Sequence, residues 1–220
     1  MDTLELKKEQ SRLARRIQLR DTFSDVKTIG GVECAQAGDK LVAVVVVCEY
    51  PSMKFLEKKS AVLHNPLPYK TGYVAYREMP AIIDAFDRLE QEPDIVLVKG
   101  LGVNHPRGLG VASHVGLALN KPTIGVTDSM LFGDLEDGRI KAHGEILGFE
   151  IRTREYAKPV YVSPGQQVTL GSALQIVQKT IQFPHKMPEP LHLAHKLAKK
   201  KAKEMVEEKE PRARVELATS

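Results

Sequence analysis

The stretch that decides the fold is DIVLVKGLGVNHPRGLGVASHVG, residues 94–116. It opens with a short apolar run over 94–98, is interrupted at 99–102, and from Arg107 carries small and apolar residues at helical spacing. This order predicts a buried strand, a glycine-bearing turn and a helix. In an open α/β sheet, ligands bind at the turn that follows a strand's carboxyl end. The polar residues here are therefore candidates for a site, although a plain strand-to-helix turn would show the same spacing. These polar residues are Lys99, Asn104, His105, Arg107 and His114.

The periodicity of the rest of the chain predicts an α/β fold with a mixed five-stranded sheet flanked by helices. Three apolar runs joined by tight turns, 28–34, 41–49 and 54–63, predict an antiparallel meander. Strands at 94–98 and 122–126 complete the five, and further strands are expected within 139–163. Helices are predicted over 4–20, 80–89, 107–119 and 169–181.

Length and composition indicate one folded domain with a tail. The chain has 220 residues, of which 42% are hydrophobic, and this is enough for a sizeable core. Two cysteines, Cys34 and Cys48, fit a reducing compartment better than a disulfide-stabilised fold. The first residues contain no apolar signal sequence, and no stretch reaches the length of a membrane span. We therefore expect a cytoplasmic protein without membrane association, and a monomer.

The positive charge is concentrated at the end of the chain. The formal net charge is +4, which permits nucleic-acid binding without requiring it. Residues 185–220 hold nine Lys or Arg against six Asp or Glu, a net charge of +3. Because the composition changes after Phe183-Pro184, we predict a domain over 1–184 and a charged, partly disordered helical tail over 185–220. A solvated helix is the simpler interpretation of this tail, and added salt-sensitive affinity for nucleic acid is the other.

Five short blocks, taken in order, carry a family signature. They are IGGVE at 29–33, PYKTGYVAYREMP at 68–80, KGLGVNHPRGLGVASHVG at 99–116, KPTIGVTDS at 121–129 and VSPGQQVTL at 162–170. Together they resemble the endonuclease V family, nucleases that act at inosine in DNA or RNA. The resemblance implies a ribonuclease H-like fold. It also implies a magnesium-dependent cut of the second phosphodiester bond on the 3′ side of inosine.

The resemblance also identifies the positions of the catalytic site. The family's pattern has an aspartate on the first strand, a glutamate on the first helix and an aspartate on the fourth strand, which suit a magnesium ion. A lysine after the fifth strand and a histidine in the last block complete it. In this chain the five positions are Glu33, Glu78, Lys99, Asp128 and Gln166. Only the glutamate on the first helix is kept.

Lys99 decides what such a site can do. We expect its ammonium to replace the metal, held by Glu33, Glu78 and Asp128 in a buried ion cluster that leaves cleavage weak or absent. In the alternative, Lys99 and Asp128 have exchanged places, and Glu33, Glu78 and Asp128 hold a shifted magnesium ion in a working nuclease. The glutamine at 166 argues against this alternative because proton transfer there is lost. A third hypothesis is a protein-interaction scaffold that no longer binds nucleic acid.

By the same resemblance, the nucleic-acid-binding residues lie in two of the blocks. Tyr69 stacks on or wedges into a base step. Gly72 and Gly100–Gly102 let a flipped base approach the backbone, whose amides read the hypoxanthine edge. His105 and Arg107 contact phosphate. Each has a structural alternative: an exposed loop tyrosine, ordinary turn geometry, a histidine that braces the turn and a surface arginine.

Overall fold

The computed structural model describes residues 2–207 as helices arranged around a mixed β-sheet. The strands are β1 (Thr28–Ala37), β2 (Lys40–Glu49), β3 (Phe55–His64), β4 (Ile95–Lys99), β5 (Thr123–Thr127), β6 (Asp134–Glu136), β7 (Arg139–Ala142), β8 (Glu145–Ile151) and β9 (Val160–Gln166). The helices are α1 (Thr3–Ala14), α2 (Val74–Phe86), α3 (Val111–Leu119), α4 (Leu170–Lys179) and α5 (Glu189–Glu207). Within this range none of the helices combines the length and the apolar composition that crossing a bilayer demands.

The strands of residues 2–207 form a single sheet in the order β3-β2-β1-β4-β5-β9-β8-β7-β6. Strands β1, β4 and β5 are parallel, and every other neighbouring pair is antiparallel. The predicted α/β class with a mixed sheet is confirmed, and β1–β3 are the predicted meander. The predicted number of five strands is too low, because β9 pairs with β5 and extends the sheet through β8, β7 and β6 to nine strands. A hydrophobic pattern indicates that a strand forms, but it does not say which sheet the strand joins.

Strand β2 is buried on both faces, as its valine run predicts. Val42, Val44 and Val46 belong to the core cluster shared with α4 and α5. Ala43 and Val45 point the other way, into the cluster shared with α2 and α3. Full burial of a valine side chain contributes about 1.5–3 kcal/mol, so this strand anchors both halves of the core.

Helix α5 packs against β1 and β2, and this differs from the predicted solvated tail. Its buried residues recur every three or four positions and belong to the core; they are Leu191, Ala194, Ala198 and Ala202. The helix approaches so closely that a Cβ at Gly31 would lie 2.3 Å from the carbonyl carbon of Pro190. Alanines give a weak hydrophobic signal, which is why the lysines of the outer face dominated the sequence pattern. The boundary at residue 184 stays a prediction, and the part of the predicted tail over 208–220 lies outside the described residues.

Candidate functional site

The strand register brings three of the five family positions to one level of the sheet. In the parallel pair of β1 and β4, Val32 lies opposite Val98, so Glu33 and Lys99 follow on adjacent strands. Strand β5 runs beside β4, and Asp128 follows directly after its last residue. The three neighbouring parallel strands therefore place Glu33, Lys99 and Asp128 side by side.

Asp128 is held by two lysines. The ammonium of Lys99 contacts its Oδ2 atom, and the Nζ atom of Lys186 lies 2.9 Å from its Oδ1 atom. Burial opposes the charge of Asp128, but the hydrogen bonds from Lys99 and Lys186 outweigh burial and lower the pKa of the carboxyl. Lys99 was predicted to be shared among Glu33, Glu78 and Asp128. In the structure Asp128 alone of these three accepts its hydrogen bond.

Glu33 pairs with a histidine that the sequence analysis missed. The Nδ1 atom of His195, on α5, lies 2.7 Å from the Oε1 atom of Glu33. The side chain of Glu33 is only 13% exposed, so this partner matters for a carboxylate at that position. The available signal was a histidine directly after a buried position of α5, three residues beyond His192. This signal is weak because the many lysines of the segment give it the pattern of a solvated helix.

Glu78 lies on α2 and is half-buried. Burial raises the pKa of its carboxyl to about 7, the charge of Arg77 opposes the rise, and the charge of Glu33 adds to it. The neighbouring thiol of Cys34 has a pKa raised well above its usual value by burial and by the charges of Glu78 and Glu33. A protonated thiol of this kind is a weak nucleophile.

The residues present do not fit a divalent metal. Across residues 2–207 no group of three His, Cys, Asp or Glu side chains is placed to hold one ion. Asp128 already binds two lysines, and Glu33 binds His195. Magnesium in proteins is bound by carboxylates together with phosphates and water, at near-ideal octahedral geometry. Within the described residues the structure does not gather Glu33, Glu78 and Asp128 as three ligands of one ion.

Gln166 does not reach the other four family positions. It lies at the end of β9, opposite Thr123 at the start of β5, whereas Asp128 follows the far end of that strand. The side chain is buried, and its Oε1 atom accepts the backbone N–H of Gln18 at 2.8 Å. Its geometry is that of a structural residue that fastens the segment after α1 to the sheet.

A cavity of about 300 Å³ opens between α2 and the turn after β4. Residues from both family blocks line it, namely Tyr69, Gly72, Glu78, Lys99, Gly100 and His105. Tyr69 stands at its rim and is 68% exposed. The cavity is therefore lined both by Tyr69, the predicted wedge residue, and by the charged residues Glu78 and Lys99.

The carbonyl of Gly72 fixes the shape of this rim. It accepts hydrogen bonds from Gln10 Nε2 at 2.9 Å, Arg107 Nη2 at 2.7 Å and His105 Nε2 at 3.2 Å. Burial, with the charge of Arg107, lowers the pKa of His105 to about 4, so its ring is neutral near pH 7. Because its Nδ1 atom accepts the N–H of Arg107, the proton of the ring is on Nε2. His105 and Arg107 thus brace the loop in this structure.

Gly100 and Gly102 use their amides inside the protein. The N–H of Gly100 donates to the carbonyl of Val126 at 3.0 Å, and the N–H of Gly102 donates to Ser163 Oγ at 2.9 Å. A Cβ at Gly102 would lie 2.1 Å from the carbonyl oxygen of Pro164, so close packing requires the glycine. These two amides are engaged, which differs from the expectation that they read a base.

A row of cations lines a separate shallow groove along α1. It is lined by Lys7, Lys8 and Arg12 of α1 and by Arg15 directly after it, and these four form no ion pair with any residue of the described range. Gln10 ties α1 to the loop before α2 that contains Tyr69 and Gly72, here called the wedge loop, by donating to the carbonyl of Gly72. The groove is therefore a basic surface on the exposed side of α1.

Comparison with known proteins gives a consistent result. A model of the endonuclease V family matches residues 11–196, which includes the first part of α5. Endonuclease V of Dictyoglomus turgidum is 35% identical over 201 residues, 88% of either chain. Endonuclease V of Bacillus subtilis has a solved structure with a TM-score of 0.83 and 32% identity, covering 93% of this chain and 95% of that one. Ciona intestinalis endonuclease V, solved with a 23mer DNA containing inosine, has a TM-score of 0.84 and 27% identity, covering 93% and 100%.

Proposed function

We propose that this chain, which belongs to the endonuclease V family, binds DNA or RNA at inosine or another deaminated base and cleaves it weakly or not at all. Binding is supported by the Ciona intestinalis relative, whose structure contains inosine-bearing DNA. It is supported further by an exposed Tyr69 at the rim of a cavity and by the basic surface of α1.

The observation that carries the loss of cleavage is Lys99 on Asp128. The family is generally metal-dependent, and here an ammonium stands on the strand where the resemblance implies a carboxylate. A unit positive charge about 4 Å from a divalent ion is repelled by about 8 kcal/mol at an effective dielectric constant of 20. That repulsion opposes the binding of a divalent ion at this end of the strand.

The deciding experiment is a nicking assay on inosine-containing DNA and RNA, with magnesium or manganese, beside a binding assay on the same strands. We expect binding that prefers inosine over adenosine, and no metal-dependent nicking. Robust nicking that disappears with a chelator would reject the proposal. An absence of binding to any of these strands would favour the scaffold hypothesis instead.

A double variant sharpens the test. Lys99→Asp with Asp128→Lys restores the family's pattern at both strand ends, and we expect it to gain metal-dependent nicking above the wild type. Lys203→Asp, on the exposed side of α5, is the matched control and should gain none. In the rival hypothesis of an active enzyme, Asp128→Asn and Glu78→Gln each abolish an activity that the wild type already has. The cytoplasmic location and the monomeric state stay predictions.

A further inference from the structure

Lys99 and Lys186 form a compact positive site at the strand ends. Their ammonium groups bind opposite oxygens of one carboxylate, Asp128, so the three side chains together carry a formal charge of +1. The side chains of both lysines are 23% exposed, and that of Asp128 is 51% exposed. The group is accessible from solvent. Asp128 neutralises one of the two positive charges, and its own side chain also faces water.

One member of the group, Lys99, lines the cavity described above. Thr127 and Ser129, on either side of Asp128 in the sequence, also line it, and Glu78 is the carboxyl in its lining. Lys186 comes from the segment before α5, and the Sδ atom of Met187 lies 3.9 Å from Lys99 Nζ. A base in the cavity would therefore bring a neighbouring backbone phosphate towards Lys99, and Asp128 links Lys99 to the second ammonium group, that of Lys186.

We propose that Lys99 and Lys186 bind a backbone phosphate of the nucleic acid directly, in place of a bridging divalent ion. The inference rests on the proposed function and specifies how its site holds the strand. Lysine binds phosphate as a point charge with three donors. In the free protein Asp128 occupies these donors, and on binding the phosphate displaces or shares that carboxylate. The phosphodiester bond stays intact because lysine supplies charge without activating a water.

Binding by the two lysines and binding through a metal ion predict opposite effects on affinity when a carboxylate is removed. Asp128 competes with phosphate for the two lysines, so neutralising it should strengthen binding. In a site that holds phosphate through a metal ion, removing a carboxylate ligand weakens binding. The behaviour of Asp128→Asn therefore separates the two chemistries.

The test is fluorescence anisotropy of a labelled inosine-containing oligonucleotide with the full chain, in a chelator and in magnesium at equal ionic strength. We expect the same affinity in both buffers. Lys99→Met and Lys186→Met should each weaken binding by about tenfold and reduce the salt slope by about 1. Asp128→Asn should tighten binding by about threefold. Lys203→Met, an exposed lysine elsewhere on α5, is the control and should bind as the wild type does.

Three results would overturn the inference: unchanged affinity in both lysine variants, weaker binding by Asp128→Asn, or binding that the chelator abolishes. Thermal unfolding of each variant shows whether it is folded. If Lys99→Met does not fold, Lys186→Met and Asp128→Asn decide. If the wild type binds no inosine-containing strand, the proposed function fails and the inference fails with it. If it binds and the lysine variants do not differ, only the inference fails.

Discussion

The Nδ1 atom of His195 lies 2.7 Å from Oε1 of Glu33 and joins the last described helix to the first strand. This pair crosses 162 positions of sequence. We expect His195→Ala to lower the free energy of unfolding by about 1–2 kcal/mol, because Glu33 is then left without its partner. Urea denaturation measures the loss, and a double-mutant cycle with Glu33→Ala should show a coupling of about 1 kcal/mol. His64→Ala, at the exposed end of β3, should stay within about 0.5 kcal/mol of wild type; an equal loss in both variants would contradict a specific pair.

The raised pKa of Glu78 makes stability depend on pH. Burial raises the pKa of this carboxyl to about 7 from its ordinary value of 4.5. Between these values the folded protein binds a proton that the unfolded chain releases, so the free energy of unfolding falls as pH rises. The whole effect is about 3 kcal/mol, complete above a pH of about 7. Glu78→Gln removes it.

Urea unfolding of wild type and Glu78→Gln from about pH 4 to about pH 8 tests this pH dependence. The two curves should diverge as the pH rises, with the variant becoming the more stable. Glu155→Gln, an exposed loop substitution, should follow the wild type at every pH. A constant difference between Glu78→Gln and wild type would show that Glu78 does not titrate in this window.

Arg107 holds the wedge loop in place. Its guanidinium donates to the carbonyl of Gly72 at 2.7 Å and to Gln10 at 2.5 Å, and it lies 4.6 Å from the centre of the Tyr73 ring. We expect Arg107→Ala to destabilise the fold by about 2 kcal/mol. Hydrogen exchange of the amides over 69–74 should speed up more than that of the sheet.

Arg107→Lys should rescue little, because lysine lacks the planar set of donors. Arg20→Ala, at an exposed position, is the control and should leave the exchange of the loop unchanged. Full rescue by lysine would mean that charge alone, rather than the forked contact, holds the loop.

The contact between α5 and β1 leaves no room at Gly31. A Cβ there would lie 2.3 Å from the carbonyl carbon of Pro190, whereas a Cβ at Gly171, on α4, meets nothing within 4 Å. Gly31→Ala should therefore cost more than about 3 kcal/mol in the free energy of unfolding. Gly171→Ala should be neutral or stabilise by up to about 1 kcal/mol. Thermal unfolding of the pair decides whether α5 belongs to the folded core, and a Gly31→Ala variant as stable as wild type would show that it does not.

The basic surface of α1 should contribute affinity without specificity. Lys7→Gln with Lys8→Gln should weaken binding of inosine-containing and ordinary strands alike and reduce the salt slope by about 2. The matched pair Lys54→Gln with Lys58→Gln, beside and on the edge strand β3, should change neither. A loss confined to inosine-containing strands would contradict a purely electrostatic role.

Much of the fold was predictable because its signals are local. The valine run of β2, the tight turns of the meander and the strand-turn-helix of 94–116 depend on neighbours along the chain. The helix ends were less well predicted: α1 ends at Ala14, and α3 begins at Val111 after a loop where Gly108 has a φ of +64°. The nine-stranded sheet could not be counted from pattern alone, because the pairing of β9 with β5 is a long-range choice.

The family and the α/β class follow from the sequence alone, through its ordered blocks and its hydrophobic pattern. The partners of the charged side chains, in contrast, are known from the tertiary structure alone. It placed Lys186 beside Lys99 on Asp128, matched His195 to Glu33, and left Gln166 at the opposite end of the sheet. The physical reason is that an ion pair depends on strand register and on the packing of a distant helix, and these are set by the burial of alanines and glycines whose own sequence signal is weak.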